Sequence, residues 1–294
     1  LYIVPGYALC KMKRASADHL STLSAVLLYI GTPCLLISTF LQLDLTTKII
    51  VDMGLFFGIT FLLQTVFMAL IWLLFRKKYE DAKYRILTVA SIMGHVGFFG
   101  LPVIRSILPG VPEVLSYSAM YTVSMNIFSF TVGVFCLTRD RKYMSLKAAF
   151  CNPTLFGFAL ALPLYLTRAG SYLPSVLIQS IQTVADMTAP LCMIILGIRL
   201  ATVSLKKLFT RPFVYLICLS KQLVFPLFCL AVVSLFPMEY PMKAALVILA
   251  GTPCASIILN LAEMYHSETE LSANCVLLST MSCFLTIPLL TLLL

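Results

Sequence analysis

Ser91-Ile92-Met93-Gly94-His95-Val96-Gly97-Phe98-Phe99-Gly100-Leu101-Pro102 reads as a hydrophobic helix broken in its middle. A second stretch, Ala250-Gly251-Thr252-Pro253-Cys254-Ala255-Ser256-Ile257-Ile258-Leu259-Asn260, is broken in the same way. Glycine and proline leave backbone N–H and C=O groups without helical partners. In lipid each such group costs several kcal/mol, so interrupted helices survive only where they face protein or a watery cavity. A pair of them in corresponding places of two halves points to the substrate site of a secondary transporter.

The rest of the chain agrees with a membrane setting. Its 294 residues are 60% hydrophobic and only 11% charged. About 20 apolar residues span a bilayer core of roughly 30 Å. Ten apolar runs occur, near 1–13, 20–43, 50–75, 86–108, 114–137, 153–169, 173–201, 211–236, 241–264 and 269–294. The expected fold is an all-α membrane protein of ten transmembrane helices. The first run is short and reads as a helix without its start; no small-residue cleavage site follows to suggest a signal peptide. The connections are short, so no soluble domain is expected.

The net charge of +9 follows the membrane rather than a nucleic acid. Lys11, Lys13 and Arg14 follow run one, and Arg76, Lys77, Lys78, Lys83 and Arg85 follow run three. Arg139, Arg141, Lys142 and Lys147 follow run five, and Arg199, Lys206, Lys207 and Arg211 follow run seven. By the positive-inside rule these connections are cytoplasmic and both termini lie outside. The ten cysteines are scattered singly, without CxxC or a histidine cluster. They read as small buried hydrophobes, with neither disulfide, metal site nor cofactor expected.

The halves match at a nearly constant shift. Thr32-Pro33 meets Ala189-Pro190 at 157, and Gln64-Thr65-Val66-Phe67 meets Gln222-Leu223-Val224-Phe225 at 158. Gly94 meets Gly251 at 157, and Ser124-Met125-Asn126-Ile127-Phe128 meets Thr280-Met281-Ser282-Cys283-Phe284 at 156. An odd-numbered repeat must enter the membrane from the opposite face. The expectation is two inverted five-helix repeats, 1–150 and 151–294, with the site at midplane between them. The competing reading makes Gly54-x-x-x-Gly58 and Gly94-x-x-Gly97-x-x-Gly100 mere helix-packing stripes.

These elements together resemble the auxin efflux carrier family, which includes plant PIN carriers and bacterial malate and malonate permeases. His95-Val96-Gly97-Phe98-Phe99-Gly100-Leu101-Pro102 is similar to the family's Asn-x-Gly-Phe-x-Gly-x-Pro element, with His95 where the family usually has Asn. Asn126 with Thr131-x-Gly133, Asn152-Pro153, Ala189-Pro190-Leu191 with Leu196-Gly197, Pro253 with Ala262 and Tyr265, and Thr286-Ile287-Pro288 follow in order. The resemblance implies that runs four and nine cross at their breaks. It implies a scaffold and dimer surface from runs 1, 2, 6 and 7, and an elevator-like unit from runs 3–5 and 8–10. It implies an organic-anion substrate and a homodimer. The short connection from Thr138 to Cys151 resembles bacterial members, hence a multi-pass protein of the cell membrane, probed first as a bacterial inner-membrane permease.

The candidate binding residues are Gly94, His95, Val96, Gly97, Gly100 and Pro102 at the first break, Asn126 beside it, and Gly251, Thr252, Pro253, Cys254, Ser256 and Asn260 at the second. Half-helix N-termini favour a carboxylate without a formal cation. Thr252, Ser256 and Asn260 either cap loosened backbone or add ligand hydrogen bonds. His95 is either a proton-coupling group, since imidazole titrates near pH 6.5, or a neutral hydrogen-bonded ring. Asp186 and Lys221 are the deep acid and base; they pair as a gate, or Lys221 meets the substrate, or each is solvated separately. Candidate coupling ions are H+ and Na+. HExxH, GxSG, paired intramembrane aspartates and GxxxxGK[ST] are absent from the sequence, which argues against an enzyme or an ATP-driven pump. A ligand-binding membrane sensor on a transporter-like scaffold is the alternative.

Overall fold

The structure, a computed structural model, describes residues 3–16, 18–43, 46–111, 113–144, 153–202, 211–265 and 267–294. Among them every extended element is helical and no β-strand forms. The helices are α1 (Ile3–Lys11), α2 (His19–Val26), α3 (Thr32–Leu41), α4 (Thr47–Phe75), α5 (Ala82–Ala90), α6 (Leu101–Ile107), α7 (Val114–Phe128), α8 (Val134–Thr138), α9 (Pro153–Leu166), α10 (Ser175–Thr202), α11 (Pro212–Leu219), α12 (Phe225–Val233), α13 (Tyr240–Ala250), α14 (Ser256–Met264) and α15 (Thr269–Thr291).

Among the described residues six helical stretches are long and apolar enough to cross a membrane: Thr22–Leu41, Thr47–Lys78, Val114–Thr138, Ser175–Thr202, Pro212–Val233 and Thr269–Thr291. Phe156–Leu166 and Tyr240–Ala250 are shorter apolar helices. The distribution of side chains is that of a lipid-embedded protein. On α4, Leu55, Leu62, Leu70 and Leu73 point outward, while Thr60 and Gln64 are buried. Water would reverse that pattern, since exposed apolar stripes of this size are rare on soluble monomers. Thr46 starts α4 by accepting the Ile49 amide on its hydroxyl at 3.2 Å. At 29 residues, α4 is about 43 Å long, enough to cross a bilayer core with tilt.

Among the described residues four π-helical turns occur: Leu27–Gly31 between α2 and α3, Val96–Gly100 opening the helix that continues as α6, Ser129–Gly133 between α7 and α8, and Ser220–Val224 between α11 and α12. One extra residue per turn leaves backbone groups poorly paired and rotates the side chains that follow, which is why such turns recur at functional sites.

The helices fall into two packing groups. In one, α1 and α3 pack on α10, and α3 also packs on α9. The α1–α10 approach is close: a Cβ built on Gly197 would stand 2.8 Å from the Tyr7 amide nitrogen, so only glycine fits. In the other group α4 packs on α7, α5 on α8, α12 on α13, and α14 and α11 on α15. Here the rings of Phe67 and Phe225, equivalent in the repeat, lie 4.9 Å apart. The Gly54-x-x-x-Gly58 pattern packs nothing, since no atom lies within 4 Å of a Cβ built on either glycine.

Candidate functional site

The two breaks meet. Gly94 and Cys254 form an antiparallel bridge, isolated from any strand. The His95 amide donates to the Pro253 carbonyl at 2.8 Å, and the Ala255 amide donates to the Met93 carbonyl at 3.1 Å. Each break thus satisfies the other's backbone, which answers the cost that lipid places on an interrupted helix. The approach requires Gly94. A Cβ there would lie 3.1 Å from Lys221 Nζ, and it would collide with the Thr252 hydroxyl.

Side chains from the π-helical turn at 220–224 and from α15 brace the second break. Lys221 is fully buried, and its ammonium donates to the Ala250 carbonyl, the last of α13. Its charge also lies 5.5 Å from the centre of the Phe225 ring. Thr252 turns inward and donates to the Leu249 carbonyl at 2.6 Å. The Cys254 amide donates to Ser279 Oγ at 2.9 Å. The Ser220 and Ser91 hydroxyls lie 2.7 Å apart and tie this turn to the start of the first break.

What remains open is small and polar. Of the candidate positions with described surroundings, Gly97 and Ser256 alone keep partial solvent access; Gly94, His95, Val96, Gly100, Asn126, Gly251, Thr252, Pro253 and Cys254 are buried. Gly97 lies in the first turn after one break and Ser256 opens the helix after the other. Among the described residues no backbone carbonyl takes the amide of either. Two half-helix N-termini therefore present N–H groups at points where both breaks reach solvent, an arrangement that attracts anions. The His95 ring sits beside them. Its Nε2 is 3.3 Å from Ser256 Oγ and 4.0 Å from Cys192 Sγ on α10, so the first break touches both the second break and the other packing group.

The structure does not bring Asp186 to Lys221. Asp186 is exposed on α10 and accepts a 2.7 Å hydrogen bond from Gln182. The Lys221 ammonium is folded against the second break, where a carbonyl that has lost its helical partner supplies the acceptor. No ion pair joins the two. Asp186 belongs instead to a polar seam along the first half of α10. Arg105 of α6 donates to Gln42 Oε1 at 3.1 Å, and Gln42 donates to Gln182 Oε1 at 2.8 Å. Ser38 completes the cluster by donating to Gln182 as well.

Asn126 is buried, with an amide nitrogen that has no partner. It is neighbouring residues of its helix that reach the first break. Ser118 Oγ approaches the Val96 carbonyl at 3.5 Å, and Ser129 Oγ donates to Met93 Sδ at 3.6 Å. Ser118, Thr122, Met125 and Ser129 share a helix face at three- and four-residue spacing, and that small-residue stripe was the available signal. The glutamines form a matched pair. Ser124 donates to Gln64 Oε1 and Ser282 donates to Gln222 Oε1, each serine 60 residues after its glutamine. Ser124, rather than Asn126, thus does for Gln64 what Ser282 does for Gln222. The side chains of Pro102 and Asn260, and all of Asn152, lie outside the described residues. Among the described residues no cluster of three metal-ligating side chains forms.

Comparison with known proteins now bears on this geometry. The profile of a family described as membrane transport protein matches residues 1–146 and again 137–291. An uncharacterized transporter of Methanocaldococcus jannaschii is 23% identical over 278 residues, covering 92% of this chain and 89% of the relative.

Proposed function

The chain belongs to the auxin efflux carrier family of membrane transport proteins, and from that premise we propose that it carries small organic anions, such as carboxylates, by alternating access at the paired breaks. It is a multi-pass membrane transporter and not an enzyme. The observation that carries the substrate class is the pair of unpaired amides at Gly97 and Ser256, the positions where the two breaks stay open. Backbone dipoles bind a carboxylate without a fixed counter-ion, so an emptied site keeps no uncompensated charge in the membrane.

The proposed architecture is two inverted five-helix repeats, residues 1–150 and 151–294. Three observations support it: the near-constant sequence shift, the contact of Phe67 with its counterpart Phe225, and the two glutamine–serine bonds of equal spacing. In this reading the group containing both breaks slides as one body against the group built on α10. The contacts between them include polar ones at His95–Cys192 and Arg105–Gln42 and apolar ones, where Met193 packs against Phe99, Cys283 and Ile287 and where Leu36 and Phe40 join the core around α4 and α7. The charge pattern places the connections after odd-numbered runs in the cytoplasm. A homodimer in the cell membrane, driven by H+, Na+ or the substrate's own charge, completes the proposal.

Proteoliposomes preloaded with malate test it. Accumulation of external radiolabelled malate against its gradient, displaced by other carboxylates, is expected of a carrier. Saturable binding without counterflow across a panel of mono-, di- and aromatic carboxylates would refute transport of this class.

A further inference from the structure

Arg199 stands on the same face of α10 as Cys192, seven residues and two turns further on, about 10.5 Å along the axis. Cys192 is the residue by which α10 touches His95 at the first break. Helical side chains lean toward the helix N-terminus, so the Arg199 side chain leans back toward that contact.

The arginine is unspent. Among the described residues it forms no ion pair, and its Nε is sealed from solvent without an acceptor. The side chain as a whole remains half-buried, so its outer end is reachable. The first half of α10 contrasts with it. There Asp186, Gln182, Gln42 and Arg105 are bonded to one another. Arg199 lies in the last turn of α10, and a buried donor left there without an acceptor calls for a partner such as a ligand. The planar guanidinium fork matches a carboxylate with two parallel hydrogen bonds.

Resting on the anion-carrier reading above, we propose that Arg199 receives a second carboxylate of the substrate, the first being held at the Gly97 and Ser256 amides. The carrier then prefers dicarboxylates to monocarboxylates of similar length. The charge lies on the packing group that stays still in the proposed motion, so the second carboxylate is engaged in one of the two access states and released in the other.

Counterflow of radiolabelled malate and of butyrate is compared in wild type, Arg199→Gln and Arg199→Lys. The expected result is a KM for malate raised at least about tenfold in Arg199→Gln, less in Arg199→Lys, with butyrate changed by less than threefold. Equal losses for both acids, or no change for malate, would overturn the assignment. Thermal stabilisation by malate in detergent gives a readout independent of flux. Wild type stabilised by millimolar malate, with the effect lost in Arg199→Gln, supports the role even where counterflow fails and the carrier reading falls. No stabilisation of wild type, or the same stabilisation in both proteins, removes it.

Discussion

The two breaks are alike in sequence and unlike in how they are held. The second is braced from within its own half: Lys221 caps Ala250, Thr252 caps Leu249, and Ser279 takes the Cys254 amide. The first is held more weakly by its own half, by Ser118 at the Val96 carbonyl at 3.5 Å and Ser129 at Met93 Sδ at 3.6 Å. Leu63 stands where the 158-residue shift would place a counterpart of Lys221. Its backbone is satisfied across the crossing, by Pro253 and Ala255, and three glycines and His95 lie along it. One break is therefore the anvil and the other the adaptable face. The difference teaches that two breaks alike in sequence can divide labour, with rigidity at one and ligand approach at the other.

Removing the brace tests this division most severely. Lys221→Met leaves the Ala250 carbonyl buried without a donor, a penalty of about 1–3 kcal/mol. Malate counterflow is expected to fall at least about tenfold and the melting temperature in detergent to drop. Retention of both would show that the brace is dispensable.

Next comes the glycine pair that the sequence repeat equates. In Gly94→Ala the new methyl meets Lys221 and Thr252, both fixed by buried hydrogen bonds. In Gly251→Ala it meets the end of Leu290, which can rotate away. Gly94→Ala is expected to lower thermal stability by several degrees and Gly251→Ala by little. Equal losses would erase the asymmetry.

The mildest change sharpens the role of His95. Gln in its place carries an amide to about the position of Nε2, within reach of Ser256, so His95→Gln is expected to keep transport within about threefold of wild type. His95→Leu leaves Ser256 without that partner and is expected to lose more. Equal activity of the two variants would mean the His95–Ser256 contact is packing alone.

Much of this was legible in the sequence because lipid imposes simple rules. Helices lie on all ten apolar runs, and glycine with proline located both breaks to the residue. The repeat shift found Phe67 and Phe225 and both glutamines. Partner choice was not legible. Asp186 and Lys221 share only an apparent depth, and depth does not say which way a side chain faces. A lysine beside a broken helix has a carbonyl available, and that local acceptor won over a distant carboxylate. The serines at 118, 129, 220 and 279 escaped notice because a small hydroxyl in an apolar helix has several bland uses. Only the crossing shows which of them reach the breaks.

The central claim is that the crossing moves against α10 during transport. His95 Nε2 lies 3.3 Å from Ser256 Oγ and 4.0 Å from Cys192 Sγ. Ser256→Cys should therefore create, with His95 and Cys192, a soft-ligand site for Cd2+ that pins the two groups together. Counterflow by the Ser256→Cys variant is measured against its own metal-free rate. Micromolar Cd2+ is expected to stop it, a chelator to restore it, and Cys192→Ser added to the variant to abolish the block. Full transport with Cd2+ bound across the crossing would contradict the account.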